Sequence, residues 1–266
     1  MRVETIAPDV VLFRGESLDA NATALRDGKR VLLIDGLGSR ADAGEMRRVI
    51  EREWESRVEM IVATHYFSDH MAAYALFPDA PILAHAYALH TFASEEFRTP
   101  EETAHFVEPS MLLDGSLALR WGRNRVEIFP NPGHTMGTLN VDVEDAELLH
   151  VGDTLVGDIG YFWYTTPDLL DRALARARGR GRARVLASHG GVRDAAELDH
   201  ARTYLAKLER RVREAREREE KIVGIPLADC VAEGRAPGEF EAVFHARNLA
   251  SIAARGLFPE FGHAVG

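Results

Sequence analysis

Cysteine is almost missing from this sequence. The one thiol, Cys230, has no partner within the chain, so no internal disulfide forms and no cysteine-built zinc site is possible. Positive charge is also short: 32 Lys and Arg against 42 Asp and Glu leave a formal net charge of -10. A chain of that sign repels phosphate backbones, which argues against nucleic acid as a partner. Long apolar runs are absent, and none approaches the roughly 20 residues that cross a bilayer, so no membrane partner is expected. Residues 1–15 alternate charged and apolar side chains, unlike the basic-then-apolar layout of a secretory leader. The expectation is a cytoplasmic protein that meets a small-molecule substrate.

What is present is ordinary globular composition, 46% hydrophobic and 28% charged, sufficient for a substantial core. No linker or low-complexity stretch divides it, so a single domain over 1–266 is expected. Short apolar runs at 10–13, 21–25, 31–34 and 60–63 predict strands, and Asp27-Gly28 is a hairpin signal. Ala43, Met46, Val49 and Ile50 give 40–55 a helical face, and further helices are expected over 69–76 and from about 86. A further strand is expected at 81–84, and the second half repeats the theme, with strands at 117–121, 126–129, 139–143, 148–151 and 184–187 and a helix opened by Pro167. Two β-rich halves, each followed by helices, predict two stacked sheets with helices outside. Over about 194–221, Leu198, Ala201, Leu205, Leu208, Val212 and Ala215 fall at alternating steps of three and four in a charged surround. That is a long amphipathic helix, lying on its own sheet or offering a coiled-coil-like seam. A last helix is expected over about 238–255.

Four segments carry chemistry. Thr64-His65-Tyr66-Phe67-Ser68-Asp69-His70 follows an apolar strand, and two imidazoles and a carboxylate so close together suit an ion held by nitrogen and oxygen. Asn131-Pro132-Gly133-His134-Thr135 sets a histidine in a turn between strands. His150-Val151-Gly152-Asp153-Thr154 and Leu186-Ala187-Ser188-His189-Gly190-Gly191 set an aspartate and a histidine just beyond two more.

In this order the four motifs resemble those of the metallo-β-lactamase superfamily, over roughly residues 8 to 200. The resemblance implies an α/β fold, the four-layer αβ/βα sandwich, with a two-metal site at one edge of the paired sheets. His65 and His134 would hold one ion, Asp69, His70 and His189 the other, and Asp153 would bridge them. The chain departs from the family pattern at Phe67, which stands where a further histidine is expected and cannot ligate. Zn2+ is the expected cofactor, as one or two ions. The set His65, His134 and Asp153 also has the composition favoured by non-haem Fe2+, leaving iron or a mixed Fe/Mn centre as the alternative.

The resulting expectation is a metal-dependent hydrolase of a small ester-, lactone-, thioester- or amide-like bond. The ion would polarise the carbonyl and supply hydroxide, with Asp69 or Asp153 as catalytic groups orienting the water. An iron oxygenase or other redox enzyme is the rival. A non-catalytic binding module, docking through the heptad helix, is a third reading, and a homodimer is the default assembly. Tyr66, Phe67, Tyr161, Trp163 and Tyr164 are candidate pocket residues, the last three from an aromatic run over 160–164. Asp69 has a second possible role as a helix N-cap. His85, His90, His105 and His150 are read as supporting or packing histidines.

Overall fold

The computed structural model describes residues 1–258, so the end of the expected domain, 259–266, lies outside the described residues. Its first sheet contains β1 (Arg2–Ala7), β2 (Val10–Arg14), β3 (Asn21–Asp27), β4 (Arg30–Ile34), β5 (Arg57–Val62), β6 (Ile82–His85) and β7 (Met111–Leu113), ordered as in the sequence. The strands from β1 to β4 pair antiparallel and those from β4 to β7 pair parallel. Helices α1 (Arg40–Arg48), α2 (Ala88–Ser94) and α3 (Pro100–Thr103) accompany this half. The second sheet is made of β8 (Leu117–Trp121), β9 (Asn124–Pro130), β10 (Leu139–Val143), β11 (Leu148–Gly152), β12 (Arg184–Ala187) and β13 (Arg193–Asp194), with only β11 and β12 parallel. Helices α4 (Pro167–Gly179), α5 (Ala196–Glu217) and α6 (Glu239–Arg255) belong to it.

Period-two side-chain alternation builds the layers. In β2, Val10 and Leu12 face the space between the sheets while Val11 and Phe13 face the helical side. In β4, Leu32 and Ile34 point inward and Val31 and Leu33 outward. The second sheet answers with Val126, Ile128, Val141 and Leu148 inward, and Phe129, Leu149 and Val151 against α4, α5 and α6. Strands buried on both faces therefore read as continuous apolar runs. The result is the expected αβ/βα sandwich. Each fully buried Leu or Ile contributes about 1.5–3 kcal/mol to it.

Two elements depart from the sequence reading, and a third takes the first of its two expected places. The helix expected over 69–76 does not form. Two 3-10 turns, Ser68–His70 and Tyr74–Leu76, take its place, because the amides of Ala72 and Ala73 donate to the carbonyls of Leu37 and Gly36 at 3.1 and 2.9 Å. The helix over 40–55 runs as α1 and then a π-helical turn, Val49–Glu53. The stripe of α5 is no exposed seam. Leu198, Ala201, Leu205, Leu208, Val212 and Ala215 are all buried in the core shared with α4, so the heptad pattern expresses packing within the chain and leaves no apolar edge for a partner. No described helix is long and apolar enough to cross a membrane.

Candidate metal centre

Strand ends of the two sheets meet at one edge. β4 ends at Asp35, a non-glycine residue at φ 57°. Its carboxylate accepts hydrogen bonds from the Thr64 amide and the Thr64 hydroxyl, each at 2.8 Å, fixing the end of β5. The Thr64 hydroxyl gives its one proton to Asp35 and thus accepts from His65 Nδ1, 3.2 Å away. Gly152 closes β11 at φ +57°, where a Cβ would stand 3.2 Å from Thr64 Oγ1; glycine lets this strand approach and delivers Asp153 beside His65. The loop with His134 is tied down by Asn131, whose side chain donates to Ala173 in α4, and by the Leu139 amide donating to Thr64. His189 follows β12 and bridges to Ala20, joining the two sheets.

Six side chains converge there. His65, His134 and Asp153 form one group and Asp69, His70 and His189 another, the ligand atoms within each lying within 4.8 Å of one another. Asp153 Oδ2 is 3.8 Å from His65 Nε2, 3.8 Å from His70 Nε2 and 3.5 Å from His189 Nε2, so it belongs to both. Asp69 stands 3.3 Å from His70 and 3.6 Å from His189. It caps no α-helix, since the helix it would begin is absent.

The fit to a cation follows from hydrogen-bond satisfaction. Buried polar atoms are normally paired, yet His65 Nε2, His70 Nε2, His134 Nε2 and Asp153 Oδ1 are buried with no hydrogen-bond partner. Meanwhile His134 Nδ1 donates to the Tyr161 carbonyl at 3.3 Å and His189 Nδ1 to that of Leu18 at 2.9 Å. A ring that donates from Nδ1 keeps its Nε2 lone pair free, the arrangement found behind metal-bound histidines. Four imidazoles and two carboxylates are a nitrogen and oxygen donor set suited to zinc or a similar transition ion.

The electrostatics agree. Burial works against a charged His70, but Asp69 and Asp153 outweigh it and push its pKa up to about 10. Burial also opposes ionisation of Asp153, whose pKa is nevertheless held far down by His189 and His70. In His65 and His134 burial prevails and lowers both. The carboxylates thus make a spot that favours positive charge. Beneath it, burial lifts Asp35 to about 6.

A cleft of about 230 Å³ opens above the centre. Phe67, only 5% exposed, lies with its ring 5.2 Å from His65, 5.3 Å from His134 and 4.7 Å from Tyr164. It sets an apolar wall beside these two imidazoles. Tyr161 and Tyr164 line the cleft as expected, but Tyr66 and Trp163 do not. Tyr66 is buried, its hydroxyl donating to the Val107 carbonyl, and Trp163 turns its ring edge to Phe97. Successive side chains in an extended loop point opposite ways, so neighbours of a lining residue face elsewhere.

The supporting histidines take structural places. His85 accepts from the Tyr87 amide and stacks on its ring; His105 Nδ1 donates to the Ser68 carbonyl and pins the ligand loop. His90 is exposed and His150 is buried within β11. Sequence reasoning missed Glu95, Phe240, Phe244 and Arg247, which line the cleft, and Asp35 beneath it. Glu95 accepts from the Ser68 amide and hydroxyl, and burial raises it to about 7. No local pattern marks these residues, except that Ser68 and Thr64, which they hold, adjoin the ligands.

The chain belongs to the metallo-β-lactamase superfamily, whose family model matches residues 16–206. Among curated proteins it is similar to the type 2 metallo-β-lactamases of Bacillus sp. (strain 170) and Bacillus cereus. Each is 25% identical over 141 residues, 53% of this chain and 52% of the relative. The chain spans about half the length of the curated relatives it matches. Among solved structures, a metallo-β-lactamase from Pontibacter korlensis superposes with a TM-score of 0.64 at 17% identity, over 77% of this chain and 98% of that one. The stereoselective inverting sec-alkylsulfatase from Pseudomonas sp. reaches 0.73 at 13% identity, over 98% of this chain and 51% of that one. These structures share the fold.

Proposed function

We propose that the protein is a metal-dependent hydrolase of a small substrate with an ester-, lactone-, thioester- or amide-like bond, with zinc as the ion. One observation carries this reading: the Nε2 atoms of His65 and His134 are buried without partners on rings whose Nδ1 atoms are anchored, and both rings group with the Asp153 carboxylate. An ion held by Asp69, His70, His189 and Asp153, or by both groups, supplies Lewis acidity and lowers the pKa of water. Everything else falls to the chain. Asp69, with 20% of its side chain exposed against 6% for Asp153, is the more open of the two carboxylates of the centre, and orients a water through its oxygens. Asp153 lies deeper and holds the imidazoles in register. The Tyr161 hydroxyl is buried beside Arg247, and burial raises its pKa, so it stays protonated and can donate to a developing oxyanion. Phe67, Tyr164 and Phe240 keep bulk water from this space, which strengthens those interactions.

The test is elemental analysis of the purified protein together with turnover of an ester, a lactone, a thioester and an amide. A β-lactam and a secondary alkyl sulfate join the panel because relatives are named for acting on them. Zinc with hydrolysis of at least one compound is expected. Iron accompanied by oxygen consumption and no hydrolysis would instead support the rival, which rests on the two-histidine, one-carboxylate group of His65, His134 and Asp153.

A further inference from the structure

Helix α6 lies outside the part of the chain matched by the family model, yet it completes the cleft. Phe240 sets its ring 5.5 Å from His189, and Phe244 sets its ring 4.8 Å from Tyr161. One turn further on, Arg247 is the only lysine or arginine among the residues lining the cleft. Its guanidinium carbon stands 3.8 Å above the Phe97 ring and 5.4 Å from that of Phe244, so both contacts engage its faces. No carboxylate of the described residues pairs with it, whereas Arg193 and Arg235 nearby in the fold are each paired with Asp158 and Glu197. Lying over two rings, and with one side-chain hydrogen bond to the Tyr161 hydroxyl, the guanidinium keeps further in-plane N–H donors for an acceptor.

The path from the centre to this cation is short and lined by rings. His134 to Tyr161 is 5.3 Å, Tyr161 to Phe244 is 4.8 Å, and Phe244 to Arg247 is 5.4 Å. A substrate whose reacting bond sits at the histidines therefore passes an apolar stretch before it meets positive charge. The remaining rim groups, Glu95 and Glu102, are acidic; Glu95 is engaged by Ser68 and Glu102 by the Thr99 amide. One uncompensated cation among acidic neighbours matches a single negative charge better than a phosphate monoester, which carries about -1.5 to -2 near neutrality.

We infer that Arg247 is a specificity-determining residue that binds a carboxylate at the far end of the substrate, so that the preferred substrates are acyl compounds with an apolar spacer and an anionic tail. This rests on the hydrolase reading for its reacting end and on Arg247 alone for its charged end.

The test uses metal-loaded protein and two matched pairs. The first pair is phenyl hexanoate and monophenyl adipate, followed by turnover. The second is N-methylhexanamide and the N-methyl monoamide of adipic acid, followed by calorimetric binding with no need for turnover. Arg247→Met is expected to raise KM for the carboxylated ester and Kd for the carboxylated amide about tenfold or more, as loss of a charge-assisted contact does. The loss for both neutral compounds should be clearly smaller than for their carboxylated partners. Arg247→Lys should recover part of the loss, and Arg247→Gln repeats the comparison should the Met variant fail to fold. Equal losses for charged and neutral partners, or none for either, overturn the assignment. Separation of the amide pair at Arg247 with neither ester turned over leaves the anion site standing while the hydrolase reading fails. Ester turnover indifferent to Arg247 does the reverse.

Discussion

The two halves of the centre have similar ligands and opposite surroundings. His134 is ringed by Phe67, Tyr161 and Tyr164, with centroids 5.3, 5.3 and 6.1 Å away, and Asp153 is the carboxylate grouped with it. His70 and His189 have Asp69 as well as Asp153 within 3.8 Å. The consequence appears in the imidazoles: burial lowers His134, whereas in His189 the carboxylates outweigh burial and raise it. On the metal-centre reading, acidic company, more than the number of imidazoles, would favour a cation in the His70–His189 half, while Phe67 makes the surroundings of His134 apolar.

Asp153→Asn should erase the contrast, since it removes the carboxylate that both halves use. Ester turnover is expected to fall about a thousandfold, the several kcal/mol that a Lewis acid contributes, with ion content falling in parallel by mass spectrometry. Single-ligand variants then separate the halves. His189→Ala should weaken zinc binding by about a hundredfold and His134→Ala by about tenfold, on the scale of losses seen around metal sites; competition with a chelator measures both, and the opposite order would reverse the assignment. Phe67→His sharpens the contrast by adding a third imidazole to the poorer half, so ion content should rise from about one towards about two per chain.

The smallest effect concerns His150, just below the centre in β11, whose pKa burial pushes down to about 3 against the opposing pull of Asp142. An unfolded histidine takes up a proton near pH 6.5. Between pH 6.5 and 3 the unfolded chain therefore binds a proton that the native one refuses, and stability falls as the pH falls. His150→Leu should remove about 2 kcal/mol of the loss between pH 6.5 and 5, read from urea midpoints. It should leave the ratio of zinc affinities between the two halves unchanged.

Much of the fold was legible because its determinants are local. The run at 31–34 is apolar on both faces and forms β4, 139–143 alternates apolar and polar side chains and forms β10, and Asp153 and His189 closely follow the ends of β11 and β12. The stripe of α5 declared its periodicity, though not what it would pack against. The edge strands escaped notice: β1 is mostly exposed and β13 has only two residues, so neither carries an apolar signature. The helix over 69–76 failed because the carbonyls of Gly36 and Leu37, remote in sequence, captured its amides. Tyr66 and Trp163 were misplaced for want of side-chain direction. Arg247 was invisible, since only folding brings it to residues more than a hundred positions earlier.

Asn248, one residue past that arginine, is buried. Its side-chain oxygen accepts from the Phe162 amide, and its nitrogen donates to the Gly160 carbonyl and the Tyr204 hydroxyl. Roof and side wall are thereby stitched at one amide. Lifting α6 would strip the 160–162 backbone of its partners, loosening Tyr161 and with it the carbonyl that steadies His134. On the metal-centre reading, a guest too bulky for the closed space would disturb the backbone that steadies His134, tying admission to the placement of that imidazole.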